Sequence, residues 1–542
     1  MQANIQATRQ SGGLNYKWIV AMVVILGVFM SILDQTIVNI AIPRLQIAFG
    51  ADIHSVQWVL TAYILTQGII TPTAAFFSDR FGIKRFYVIS LAAFTLGSAL
   101  CGLAWSLPAL IFFRILQGIG GAALFPLSIT LLFREFPPHE RGTAMGFFGI
   151  PALLAPALGP TFGGYLVTFA DWQSIFYINV PIGIAAVILA SIFLREGEIA
   201  SNTRFDFLGF FFAAVGLGFV LYAFSDASTD GWGSSKVLSF LIGGVLALIF
   251  FIMIELARVK QEKQPLLDLR LFRNGPFRAS TIASLFVIFG LFGGIFLFPI
   301  YLQNIRGQSA FQAGLILLPQ AIASMVSVII GGRLVDRIGV RAVMIPGLVA
   351  LIVVSWQLSL TTLNSPIWWL QAMLVIRGLA LGLCVQPLTV AGLSEIGPRQ
   401  LAQASSLNTV TRAVSSSLGI AILATLVQTQ SQFHYTHLAE QVTTSSPLGQ
   451  LLPRLQALFV SQGASLDMAH TTALQLIAGL VQQQSFILAL QDAFTFTALV
   501  TVLAVIAVFF VKSGRKPARI PGQDAQMDGN EEPEAMPMIL VE

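Results

Sequence analysis

Two short stretches decide how this chain is built. The first reads Phe77-Ser78-Asp79-Arg80-Phe81-Gly82-Ile83-Lys84-Arg85 and the second Leu334-Val335-Asp336-Arg337-Ile338-Gly339-Val340-Arg341. Both carry D-R-x-G-x-(K/R), 257 residues apart from Asp79 to Asp336, and each joins two long apolar runs. A polar signature repeated at that distance implies two related halves. The glycine permits a tight reversal between helices. An aspartate near a helix N-terminus is favoured, and the basic residues can bridge to neighbouring helix ends. A loop that merely sets orientation needs basic residues but neither Asp nor Gly. Asp79, Arg80, Gly82, Lys84 and Arg85, with Asp336, Arg337, Gly339 and Arg341, are therefore expected to act as gating loops that stabilise one access state.

Outward from these loops the chain is apolar. Of 542 residues 56% are hydrophobic and 10% charged, and the mean hydropathy is +0.80, which excludes an ordinary soluble surface. A hydrocarbon core about 30 Å thick takes about 20 helical residues. Runs that qualify begin near Trp18, Val56, Phe86, Pro108, Thr143, Trp172, Phe205, Val237, Phe277, Ala310, Ala342, Pro366, Gln403 and Gln491. An all-α membrane protein of 14 transmembrane helices is expected. With the N-terminus in the cytoplasm, 23 of the 30 Lys and Arg lie in cytoplasmic segments and 4 outside, namely Arg44, Lys236, Arg306 and Arg454. The positive-inside rule selects that orientation, with both termini cytoplasmic.

The expected organisation is a tail over 1–17, a six-helix bundle over 18–194, two inserted helices within 195–256, a basic linker over 257–276 and a second six-helix bundle over 277–512. That last bundle includes an external, Gln-rich stretch at 428–491, with apolar periodicity in Leu451 to Val460 and Leu474 to Leu490 that suits an interfacial or capping position. Residues 513–542 read as a disordered acidic tail.

The net charge of +5 is spread over short clusters, so no nucleic-acid surface is expected. Cys101 and Cys384 fall in separate apolar runs and read as core residues. Without a Gly-Lys dipeptide there is no Walker A loop. The five histidines, His54, His139, His434, His437 and His470, fall in predicted loops, and no metal site is expected. Energy must then come from an ion gradient, with no cofactor.

Asp34 is the one carboxylate deep inside a predicted span. An acid there is costly, so it should face a cavity, where an arriving cation can expel its proton. Arg114 lies at comparable depth by residue counting on the fourth span, and coupling between the two is expected. Arg377 and Arg412 sit nearer mid-membrane in the second half, without an intramembrane acid. Gln67, with Thr66, Thr71 and Gln386, is a candidate cavity-lining residue, and Asp492 is expected to be solvated.

Three further motifs, together with the gating loops, carry a family resemblance. Leu33-Asp34-Gln35-Thr36-Ile37-Val38-Asn39-Ile40-Ala41-Ile42-Pro43 resembles the first-helix signature of the fourteen-helix drug:proton antiporters, which include EmrB- and QacA-type exporters. Arg114-Ile115-Leu116-Gln117-Gly118-Ile119-Gly120-Gly121-Ala122 is similar to their helix 4 motif. Gly149, Pro156, Gly159, Pro160, Gly163 and Gly164 are similar to the antiporter motif of helix 5. Phe176-Tyr177-Ile178-Asn179-Val180-Pro181-Ile182-Gly183 is family-like as well. The chain thus resembles the major facilitator superfamily. The resemblance implies two six-helix bundles with helices 7 and 8 inserted, a seam at helix 5 that limits leakage, and proton-driven export by alternating access. Its expected cargo is lipophilic, cationic or amphipathic small molecules, with protons as the other partner. The expected location is the bacterial inner membrane, with a periplasmic adaptor protein as a further partner. The alternatives are export of an endogenous lipid, fatty acid or anionic metabolite, and a non-transporting receptor or scaffold.

Overall fold

The computed structural model describes residues 15–511 except 198, 200–204, 262, 264 and 444. Residues 1–14 and 512–542, which take in most of the predicted tail 1–17 and all of the tail 513–542, and the side chain of Pro160 lie outside the described residues. Eighteen α-helices run in chain order among them. The first nine are α1 (Tyr16–Phe49), α2 (Ile53–Ile70), α3 (Ala74–Phe81), α4 (Ile83–Gly102), α5 (Leu107–Gly121), α6 (Leu124–Glu135), α7 (Arg141–Phe169), α8 (Ser174–Tyr177) and α9 (Asn179–Phe193). Then come α10 (Phe207–Asp230) and α11 (Ser235–Lys260). The remainder are α12 (Gly275–Ile300), α13 (Ala310–Ile338), α14 (Val340–Leu358), α15 (Ile367–Leu393), α16 (Leu401–Glu440), α17 (Pro447–Ser461) and α18 (Leu466–Phe509).

Thirteen described helices or helix pairs are long and apolar enough to cross a membrane. The expected ninth span falls on α12, whose apolar part, Gly275–Leu291, is shorter than the other thirteen. The predicted fourteen is therefore thirteen plus one short segment.

Proline explains where spans break. Pro72 lacks an N–H, and α2 passes through a 3₁₀ turn, Thr71–Thr73, into α3. Pro126 likewise cannot donate to the carbonyl four residues back, that of Ala122, and the fourth span is split there into α5 and α6. The orphaned Ala122 oxygen accepts instead from Thr71 Oγ1 at 3.1 Å. One interhelical bond thus ties the two proline breaks together.

Within the first half α1 packs on α7, α9 and α6, and α4 on α5 and α9; within the second, α12 packs on α18, α16 and α15, and α14 on α15 and α18. The helices α10 and α11 form a hairpin that leans on α2 and α16. Across the halves, α7 runs against α13, and α6 and α3 meet α16.

The two D-R-x-G loops lie at one end, here the basic end. Gly82 and Gly339 adopt nearly the same left-handed conformation, φ 89° and 87°. Asp336 reaches across the halves to the N-terminus of α7. Its carboxylate accepts from Gly142 N at 2.8 Å, Thr143 N at 2.7 Å and Thr143 Oγ1 at 2.7 Å, as a helix N-terminus favours. Just inside, Gly332 abuts Gly142 so closely that a Cβ would collide with the Gly142 carbonyl. Gly332→Val is therefore expected to exclude this packing at a cost of about 1–3 kcal/mol and to move the basic ends apart. Spin-label distances check this, and the two native cysteines are buried and silent.

The other loop is arranged differently. Asp79 lines a cavity of about 1340 Å³ whose walls include Arg134, Asp268, Arg399, Gln400 and Gln403. The start of α16, beyond that cavity, has no side-chain cap.

Four expectations are corrected. The last helix starts at Leu466, not near Gln491, and α16 continues to Glu440. At 1.5 Å per residue each is about 60 Å long or more, about twice the hydrocarbon thickness, so 428–491 is a helical projection with α17 packed on α18. His54, His434, His437 and His470 lie in helices, not in loops. Asp492 is not simply solvated, because His434 Nε2 stands 2.7 Å from its carboxylate. Finally, Glu255 ends up buried in α11 and accepts from Leu266 N at 3.1 Å, while Arg258 pairs with Asp206 at 3.0 Å. The helix runs to Lys260, past the predicted linker start at 257.

Candidate functional site

Asp34 lies on α1 and Arg114 on α5, and both are 0% exposed. Arg114 Nη1 donates to Asp34 Oδ2 at 2.6 Å. The other carboxylate oxygen accepts from Gln117 Nε2 at 3.0 Å and Asn179 Nδ2 at 2.9 Å. Helix periodicity places Gln117 beside Arg114, three residues on, and Arg114 Nη1 also donates to Gln117 Oε1 at 2.8 Å. Asn179, the first residue of α9, is held by Ser98 Oγ at 3.1 Å, and that hydroxyl donates to Phe176 O at 2.9 Å. Four helices, α1, α4, α5 and α9, thus converge on one carboxylate.

The arginine is fixed as tightly. Its Nε donates to Val59 O at 3.1 Å, and its guanidinium lies 4.0 Å from the Tyr63 ring centroid and 5.7 Å from that of Phe176. A cation on an aromatic face gains about 2 kcal/mol when desolvated. Arg114 Nη2 and Asn179 Oδ1 remain without partners.

From Tyr63 a polar thread leads outward. Gln67 Nε2 donates to the Tyr63 hydroxyl at 2.7 Å, and Gln35 Nε2 donates to Gln67 Oε1 at 2.9 Å. Gln35 and Gln67 are partly exposed. Thr66 and Thr71 bond mainly to their own helix, to Ala62 O and Gln67 O.

This geometry departs from the expected cavity-facing carboxylate, because Asp34 is enclosed and saturated by three donors. Chemically the cluster is an enclosed carboxylate that pairs with one cation and accepts from two amides.

The other predicted residues lie elsewhere. Arg377 is 1% exposed and donates to Leu291 O at 2.9 Å and Gly290 O at 3.4 Å on α12. Arg412 contacts Thr389 Oγ1 at 3.3 Å. On α7, Gly159 abuts Thr36 of α1, Gly149 abuts Val328 and Gln386, and Gly164 faces Phe311 of α13. Gly163 is buried and Pro156 half-buried. At the first loop, Lys84 N and Arg85 N donate to the Glu196 carboxylate at 3.0 and 3.4 Å, with Arg85 Nε 3.5 Å away. Arg80 and Arg337 are exposed, and Arg341 Nε donates to Val511 O. Gln117 and Asn179 stand within the quoted motifs but were given no role of their own, and Tyr63 and Glu196 were not named at all. The i, i+3 spacing from Arg114 was the available signal for Gln117.

The chain matches the Major Facilitator Superfamily over residues 24–420. It is 32% identical over 497 residues to the MFS-type transporter YhcA of Bacillus subtilis, covering 91% of this chain and 93% of that one. It is 30% identical over 493 residues to the multidrug export protein EmrB of Escherichia coli, covering 90% and 94%. Among solved structures, the human organic anion transporter MFSD10 superposes with a TM-score of 0.60 at 14% identity, covering 91% of this chain and all of that one, which speaks to the fold. With its helical spans and paired loops, this chain belongs to the major facilitator superfamily of membrane transporters.

Proposed function

We propose that this transporter is a proton-coupled exporter of lipophilic, amphipathic small molecules in a bacterial inner membrane. Its basic end and termini would be cytoplasmic, and it would be driven by the proton gradient without a cofactor. Residues 18–194 and 277–512 would be the bundles that move, and 195–256 the insertion. The observation that carries the reading is the enclosed Asp34–Arg114 pair. Protonation of Asp34 removes the counter-ion of Arg114, and a freed buried arginine favours whichever arrangement rehydrates or re-pairs it. Proton binding and access state are then linked. Relatives support export, since EmrB is named a multidrug export protein and a relative of Bacillus subtilis a methylenomycin A resistance protein. Because protein groups already satisfy Asp34, its role is proton coupling rather than direct capture of a cationic drug. The projection at 428–491 is the natural landing place for a periplasmic adaptor.

The test uses proteoliposomes with an imposed pH gradient and a panel of one lipophilic cation, one neutral dye and one lipophilic anion. Asp34→Asn is expected to lower proton-driven flux at least tenfold, while counterflow exchange without a gradient persists. Gradient-driven flux equal to wild type would refute the role of Asp34.

A further inference from the structure

Three arginines lie inside spans, and two are held by close protein acceptors, with one nitrogen of each, Arg114 Nη2 and Arg377 Nη1, left without a partner. Arg114 has Asp34, and Arg377 has two carbonyls of α12. Arg412 differs. It sits eleven residues into α16, about 16 Å along the helix, and no acidic side chain among the described residues pairs with it. Its guanidinium donates one long bond, 3.3 Å, to Thr389 Oγ1 on α15 and stands 5.8 Å from the Phe125 ring centroid on α6. Thr389 belongs to the second half and Phe125 to the first, so the charge lies in the seam between them. Protein surrounds Arg412, yet it is partly accessible.

A second, independent observation adjoins it. Gln386 is one turn before Thr389 on the same face of α15 and 2% exposed. Neither its Oε1 nor its Nε2 has a partner. It lies against Gly149 of α7, across the same seam. On α16, Ser405 and Ser406 are also buried with unpartnered hydroxyls. Buried polar groups without partners are rare in folded proteins. An unpaired cation at this depth is rarer and marks function. A bound molecule supplies the missing partners, and the positive charge fixes its sign.

We propose that this seam binds the anionic group of an amphipathic cargo, a carboxylate, sulfonate or phosphate. Arg412 forms the ion pair, Thr389 and Gln386 supply hydrogen bonds, and Phe125 offers an adjoining apolar face. The proposal rests on the transporter reading above and narrows its cargo.

The experiment compares 1-pyrenebutyrate with 1-pyrenebutanol, which share ring and chain and differ in charge. Binding is read by fluorescence on purified protein in phosphatidylcholine nanodiscs, with empty discs as blank. Wild type is expected to bind the carboxylate at least tenfold more tightly than the alcohol. Arg412→Gln should abolish the preference and leave alcohol affinity unchanged, which also certifies its fold. Arg412→Lys should keep most of the preference, and Gln386→Leu should weaken carboxylate binding threefold or more. Equal affinity for both probes in wild type, or a preference that survives Arg412→Gln, overturns the proposal. Proton-driven flux is measured separately. Its absence with the preference intact removes the antiporter reading alone, and its presence without a preference removes this inference alone.

Discussion

Arg114→Ala is expected to destabilise the detergent-solubilised protein by about 3–5 kcal/mol, the usual cost of leaving one member of a buried ion pair behind. Asp34 is fully enclosed, and water has no access to replace the lost guanidinium. Gln117 and Asn179 still donate to the carboxylate, but two neutral amides do not cancel its charge. The alanine also leaves space beneath the Tyr63 ring. Thermal unfolding followed by the exposure of buried cysteines provides the measurement, since Cys101 touches Gln117 at the edge of the cluster. The double variant Asp34→Asn, Arg114→Gln is expected to recover most of the loss, because neither charge then remains. That non-additivity is the signature of direct coupling. Wild-type stability in Arg114→Ala would mean that the pair does not form.

The second large effect is expected at the basic end. Asp336→Ala removes the acceptor for two backbone N–H groups and one hydroxyl at the start of α7. Hydrogen bonds to a charged group contribute about 1.5–3 kcal/mol each, and even one such loss shifts a two-state equilibrium about tenfold. The expected result is a population shift toward separated basic ends. Spin labels at exposed positions His139 and Arg333 report it as a longer distance. Asp336→Asn keeps an acceptor without the charge and should fall between the two. An unchanged distance distribution in Asp336→Ala would show that glycine packing alone holds the ends together.

Much of the architecture was legible because membranes impose simple arithmetic. Hydropathy located the spans, and the spacing of Asp79 and Asp336 announced two halves. Residue counting set Asp34 and Arg114 at one depth, where they do bond. The amides around them were not legible, since Gln117 and Asn179 look like any polar residue that satisfies a neighbouring helix. Hydropathy also failed at 428–491, for a physical reason. It measures preference for lipid, whereas Ala, Leu and Gln are strong helix formers in water as well. Both α16 and α18 therefore continue as helices where the apolar runs end. The surroundings of Arg412 were equally hidden, because a lone arginine in a span has the same sequence whether two carbonyls accept from it, as for Arg377, or a single hydroxyl does.

The unequal state of the two repeated loops bears on how such a molecule swings. Asp336 is bolted to α7, while Asp79 looks across a cavity at the bare start of α16. Two hinges of like sequence are thus drawn to different degrees in one form. Opening then starts as a wedge from the corner where α3, α6 and α16 meet, with the α7–α13 edge as pivot, rather than as a symmetric parting of shells. A molecule dissolved in the leaflet at the basic end would meet that corner sideways, before any central doorway exists.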